Sequence, residues 1–312
     1  MKIILIWLLV GITFLTCKRE KPDDNGKPST GSDGPLKDYH KDITIANWNI
    51  EWFGDPSGFY GNLNEQELNA AKVLRYLDAD LYGLCEIVDT TRFGRMIRNN
   101  LGNDFRYTIS FFTGGVQKMA FVYNRHIFRN VSVRPFMAIS APAYYNFGNR
   151  YPYMLQAEVS VNGTKKEMSF VLIHAKADNE LSSYNRRRSG AVELKDSLDT
   201  YFNGKYFMIF GDFNDNFDKS IVPGKASPYL NFLDDPARYD AITGPLNMPG
   251  NQSSLGFANS VIDQQVISSN MTTWYLPASA RIRTDVVSAV QGYMSGNTSD
   301  HYPVTSVYRV RP

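Results

Sequence analysis

The sequence predicts an α/β protein in which β-sheets carry helices on their outer faces. Two observations lead there. Strand patterns dominate the chain after residue 42, and helical periods fall between some of them rather than in a separate block. From Asp42 onward there is no internal repeat and no linker-like break, so residues 41–312 are expected to form one domain.

The elements follow in order. Ile43-Thr44-Ile45-Ala46-Asn47-Trp48-Asn49-Ile50 is β-branched and alternating at its start, which predicts a strand. Asn64-Glu65-Gln66-Glu67 reads as a capping box opening a helix, with Leu68, Ala71, Leu74 and Leu77 on one side. A buried strand over 81–88 follows and carries Glu86. Phe93, Met96, Ile97 and Leu101 mark a second helix before Gly102. Strands are then expected over 118–123, 153–161 and 167–174, the last two joined through the hairpin signal Asn162-Gly163. A third helix over 185–202 turns Ala191, Leu194 and Leu198 inward and leads to the strand Tyr206-Phe207-Met208-Ile209-Phe210. Residues 261–268 and 304–310 supply late strands.

Composition bounds the function. With 312 residues, 43% hydrophobic and 21% charged, the chain can bury a sizeable core and is not a disordered one. A formal net charge of +2 is too small to argue for nucleic acid by itself, so any polyanion site must be local.

The N-terminus carries a basic start and an apolar stretch over 3–15, shorter than the ~20 residues of a membrane span. It reads as a bacterial secretory signal ending at Leu15-Thr16-Cys17, where a lipoprotein signal places its lipidated cysteine. Thr16 departs from the usual small residue there, which leaves a plain secretory peptide or an uncleaved anchor open. The expectation is a signal over 1–17, a membrane anchor through lipid on Cys17, and a flexible polar tether over 18–40. The only other cysteine, Cys85, lies in an apolar strand run and is expected to fill core. No disulfide and no obligate protein partner are expected.

Polar residues at strand ends are what the apolar pattern does not predict. Gly211-Asp212-Phe213-Asn214 closes one buried strand, and Ser299-Asp300-His301-Tyr302-Pro303-Val304 opens another. With Asn49, Glu86, His174 and Asp263 they make a set of acids, amides and imidazoles. Four carboxylates gathered away from water repel one another, and a divalent cation resolves the conflict. Oxygen ligation favours Mg2+, with Mn2+ or Ca2+ as alternatives, over zinc, whose HExxH and paired CxxC spacings are absent.

Trp48-Asn49-Ile50-Glu51, Leu84-Cys85-Glu86, Ile173-His174, Gly211-Asp212-Phe213-Asn214, Ile262-Asp263 and Ser299-Asp300-His301-Tyr302-Pro303 occur in this order. The set resembles the endonuclease/exonuclease/phosphatase superfamily, and within it the deoxyribonuclease I-like branch. The resemblance implies a four-layer αββα sandwich of two mixed sheets with outer helices, and metal-dependent phosphoester hydrolysis. It implies that Glu86 and Asp300 hold the metal with Asn49 beside it. Asp212 and His301 would prepare the attacking water, and Asp263 would orient the imidazole. Asn214 and His174 would bind phosphate oxygens. Glu51 stands two residues past Asn49 and is a further metal candidate.

The expected activity is hydrolysis of DNA or RNA by an exported nuclease. The alternative is a phosphatase or phosphodiesterase for lipid headgroups or small phosphoesters, and a remote third is an inactive surface binding module. Lys118, after Gly114-Gly115, is a candidate substrate contact. So is Lys176, which shares the face of His174 if that strand continues. Arg186 is a third, in a run Arg186-Arg187-Arg188 expected in the first turn of a helix, where cations oppose the dipole unless an anion is near. For each, a structural pairing is the competing explanation. Segments 136–153 and 245–255 are expected to decide the substrate.

Overall fold

The computed structural model describes residues 34–111 and 115–312; the expected signal segment, Cys17 and most of the tether lie outside them. One six-stranded sheet has the order β11 (Arg281–Ile282), β12 (Val304–Tyr308), β1 (Ile43–Phe53), β2 (Leu81–Ile87), β4 (Lys118–Asn124), β3 (Phe105–Ile109). The other runs β5 (Phe128–Pro135), β6 (Tyr153–Val161), β7 (Thr164–His174), β8 (Tyr206–Asp212), β10 (Asp263–Ser268), β9 (Tyr239–Asp240). The pairs β1–β2 and β7–β8 are parallel and the remaining neighbours antiparallel.

Period-two alternation builds the layers. In β1, Ile43 and Ile45 face the space between the sheets, where Phe121, Tyr153, Leu172 and Phe210 also pack. Ala46, Trp48 and Ile50 face outward onto α1 (Leu63–Leu77) and α2 (Thr90–Leu101). In the second sheet Met154, Val171, Ile173 and Ile209 meet α3 (Ala141–Asn146) and α4 (Leu181–Tyr201). The result is the four-layer αββα sandwich. Among the described residues no helix is long and apolar enough to cross a membrane.

Several expectations need correction. Helix α1 is capped by Asn62, whose side chain accepts from the amides of Asn64 and Glu65, so Asn64 lies inside the first turn. Its Leu68 is exposed, because the buried stripe runs through Ala70, Ala71, Val73, Leu74 and Leu77. Helix α4 opens at Leu181, placing Arg186 to Arg188 beyond the first turn, where the dipole penalty fades. Strands β3 and β5 and helix α3 (Ala141–Asn146) were not expected. β3 and α3 are short, and β3 and β5 are edge strands ordered by one neighbour each. The tether expectation also gives way at its domain end. The Lys37 amide donates to His126 Nδ1 at 3.1 Å, and the Asn162 amide to the Tyr39 carbonyl at 2.8 Å. Loop groups on the domain satisfy this backbone, something no apolar period announces.

Candidate active site

The two parallel pairs end at the same edge of the sandwich, and their antiparallel neighbours begin there. β1, β2, β7 and β8 therefore deliver Asn49, Glu86, His174 and Asp212 to one place. Asp263 opens β10 opposite Asp212, and Asp300-His301 precede β12. Backbone strain is present here. Glu51, Trp52, Glu86 and Asn214 have positive φ values of 46°, 46°, 65° and 53°, sparsely populated for such side chains. Gly211 has φ +130°, and a Cβ there would lie 2.2 Å from the Ile173 carbonyl oxygen.

Polar bridges tie the sheets together at this edge. Asn49 Nδ2 donates to Glu86 Oε1 and to Asp212 Oδ2, both at 3.0 Å. Its Oδ1 accepts the Glu51 amide at 3.0 Å. Asn49 thus links two acids through its amide rather than turning an oxygen outward as the expected metal ligand. One layer deeper, Asn47 Nδ2 donates to the Gly211 carbonyl at 3.2 Å and Gln265 Nε2 to Asn47 Oδ1 at 2.9 Å. Ser299 Oγ donates to the Asn49 carbonyl at 2.7 Å, and Trp48 Nε1 donates to the His301 carbonyl at 2.9 Å. Two motifs 250 residues apart are thereby locked in register.

The two histidines have opposite surroundings. His301 Nδ1 lies 2.7 Å from Asp263 Oδ2, which also accepts Ser253 Oγ at 2.8 Å. Burial opposes a charge on His301, but Asp263, Asp300 and Asp212 outweigh it and raise its pKa well above the ordinary range. His174 Nδ1 faces Arg150 Nη1 at 2.5 Å. A guanidinium only donates, so Nδ1 accepts and the ring proton sits on Nε2. That nitrogen lies 3.5 Å from Glu86 Oε1 and 3.6 Å from Asp212 Oδ2. Burial first, and the Arg150 charge second, push the His174 pKa well below normal and keep the ring neutral.

Burial raises the carboxyls of Glu51, Glu86 and Asp212, the last to about 7. Asp212 Oδ1 accepts the Asn214 amide at 2.9 Å, while Asn214 Nδ2 donates to the Ala175 carbonyl at 3.1 Å. Asp300 is the outermost acid, its side chain 36% exposed and its Oδ1 3.9 Å from His301 Nε2.

Among the described residues no group of three or more His, Cys, Asp or Glu side chains is arranged to hold an ion. The donor chemistry still suits a hard cation. Glu51 Oε2 is buried without a hydrogen-bond partner, and both Asp300 and Glu86 act electrostatically on that carboxylate. Glu51, Glu86 and Asp300 are the residues that would hold it.

The expected substrate contacts divide. Lys118 sits at the site end of β4, opposite Ile87, its side chain with no hydrogen bond or ion pair among the described residues. β7 stops at His174, so Lys176 does not share its face as expected; its Nζ pairs with Asp178. Arg186 donates to the Tyr145 carbonyl, and Arg187 is buried against Asp215. The sequence reading missed Arg150, which donates to the Phe147 carbonyl and Gln117 Oε1, each at 3.2 Å. Its one sequence signal is a cation just before a buried strand, in Arg150-Tyr151-Pro152.

This sandwich matches solved structures over most of the chain. The human Nocturnin catalytic domain, solved with a bound sulfate anion, is similar over 88% of this chain and 96% of its own, at 14% identity and TM-score 0.60. An endonuclease/exonuclease/phosphatase from Bacteroides vulgatus is similar over 87% of this chain and 100% of its own, at 13% identity and TM-score 0.57. The fold is the one these solved structures share, two mixed six-stranded sheets with outer helices. D. rerio TDP2 complexed with single strand DNA product is similar over 86% of the present chain and 99% of its own, at 11% identity and TM-score 0.60. No protein-family model matches the chain, and no curated protein sequence matches it.

Proposed function

We propose that this chain is a divalent-metal-dependent phosphodiester hydrolase acting on DNA or RNA. The observation that carries the reading is the junction of Asn49, Glu86 and Asp212 with the Asp263–His301 pair at one buried edge. Nucleic acid is favoured because fold neighbours include D. rerio TDP2 complexed with single strand DNA product and an AP endonuclease from Archaeoglobus fulgidus.

The residues divide the chemistry. A divalent cation bound by Glu51, Glu86 and Asp300 would supply Lewis-acid polarisation of phosphoryl oxygen. Asp212, with a carboxyl near 7, has a proton affinity suited to taking a proton from an attacking water. His301, held cationic by Asp263, donates from Nε2 to oxygens that gain charge in the transition state. Neutral His174 offers its Nε2 proton, and Arg150 fixes that tautomer.

The test is a substrate panel with Mg2+, Mn2+ or Ca2+: plasmid DNA, RNA, an aryl phosphodiester, phospholipid and inositol phosphate. Turnover of DNA or RNA is expected. No hydrolysis of any phosphodiester under any metal overturns the enzyme reading, and a hundredfold preference for phospholipid or inositol phosphate overturns the nuclease. We also propose that the enzyme is exported and anchored through lipid on Cys17, a residue outside those described. Mass spectrometry of the membrane fraction should find a lipidated Cys17 at the mature N-terminus; an unmodified one refutes it.

A further inference from the structure

We propose that Tyr145 and Arg186 form a stacking platform for one base of a single-stranded nucleic acid, beside the catalytic edge. The inference rests on the nucleic-acid reading above and names where the strand beyond the reacting phosphate is held.

Segment 136–153 carries Tyr144, Tyr145 and Tyr151, and folds into α3 and the loop that delivers Arg150. Helix α3 is short but firmly seated. Its N-cap Ser140 donates through Oγ to Glu193 Oε1 at 2.8 Å, and Asn146 Nδ2 donates to Glu193 Oε2 at 3.1 Å. Both bolts run to α4, the helix that bears Arg186. The Arg186 guanidinium lies 4.0 Å from the Tyr145 ring centroid. Its Nε donates to the Tyr145 carbonyl at 2.9 Å, and Nη2 donates to the same oxygen. The group is held against the ring while Tyr145 remains 56% exposed.

Capping the last carbonyls of α3 explains the hydrogen bonds but not an exposed aromatic ring under the cation. Among the described residues Arg186 has no carboxylate partner, so its charge is free to meet an anion. Arg150 touches both His174 and the Phe147 carbonyl, two residues past Tyr145, so the platform adjoins the catalytic edge. An arginine on an aromatic face suits a base stacked above and a phosphate alongside. It is wrong for a choline headgroup, whose cation the guanidinium repels.

The experiment is fluorescence anisotropy of a labelled single-stranded oligonucleotide on the full, metal-free protein, where no cleavage intervenes. Tyr145→Ala and Arg186→Met should each weaken binding by about tenfold. Arg186→Met should also lower the slope of log affinity against log salt by about 0.7, the loss of one single-strand phosphate contact. Tyr145→Trp should retain binding, and Arg186→Lys should weaken it, because an ammonium cannot lie flat on a ring. These two variants preserve bulk or charge and guard against a folding artefact. Equal affinity across the variants, or wild-type preference for phosphatidylcholine vesicles over the oligonucleotide, overturns the platform. Wild-type protein that binds the strand but hydrolyses no phosphodiester sinks the enzyme reading alone.

Discussion

The two ends of the sandwich are chemically opposite. Where β1 begins and β12 finishes, charges meet in pairs. Asp80 accepts Lys41 Nζ at 2.9 Å and the Thr44 amide at 3.0 Å, and Asp104 takes Lys37 Nζ at 2.8 Å and His126 Nε2 at 2.9 Å. Arg309 holds both oxygens of Asp42 at 2.7 Å. At the other end Glu51, Glu86, Asp212, Asp263 and Asp300 face Arg150 and two histidines. His126 and His174 are 1% and 3% exposed, so burial alone does not separate a structural imidazole from a working one. Charge left without matching charge does, since only a ligand or a substrate completes it.

The largest effects should come from breaking the unbalanced end. His301→Ala is expected to lower kcat by about 10²–10⁴, the range for a positioned acid–base group, with the fold intact. Asp263→Asn should lower it less, because the ring stays in place but loses orientation and a charge. Glu86→Ala should weaken metal affinity instead. Activity measured against metal concentration separates the roles: excess metal should restore part of Glu86→Ala and none of His301→Ala. Equal rescue of both would show that the assignments are wrong.

Next comes a paired couple at the same end. Arg187 and Asp215 are both wholly buried, with Nη2 to Oδ2 at 2.9 Å, and Arg187 also donates to the carbonyls of Lys176 and Asp178. Arg187→Met strands the Asp215 carboxylate and should cost about 3–5 kcal/mol in urea denaturation. A cost under about 1 kcal/mol would mean that the couple is not tightly held.

A pH series sharpens the contrast. Burial raises Asp212 from its ordinary 3.8 to about 7, so the folded metal-free protein prefers it protonated. That contribution to stability is fully present below about pH 4 and is lost as pH rises through about 7. Asp212→Asn should flatten the decline. Parallel denaturation profiles for variant and wild type across pH 4–8 would refute this source. The smallest effect belongs to the far end: Arg309→Ala removes a solvent-exposed pair and should leave the denaturation midpoint unchanged.

Much of this was legible in the chain because strand periodicity is local. The strand over 153–161 and the inward set Ala191, Leu194 and Leu198 appear where the pattern placed them, and Glu86 and Asp212 stand out as acids closing apolar runs. Edge strand β5 was not legible, since half of FRNVSVRP faces away from the core and its partner lies 20-odd residues on. Lys176 shows the limit at the site. Its spacing from His174 implies a shared face only while β7 continues, and β7 stops at His174.

The sequence alone determined which residue types stand at the ends of which strands, because side-chain alternation and apolar runs are properties of neighbours along the chain. Only the tertiary structure decided what those residues do to one another. Asn49 as a bridge between acids, the opposite charge states of His174 and His301, and the entry of Arg150 all depend on distances across two sheets. The same holds for Tyr145 and Arg186, which lie 41 residues apart and meet only because α3 is fastened to α4. Electrostatic energy follows separation in space and exposure to water, and neither is written in spacing along the chain.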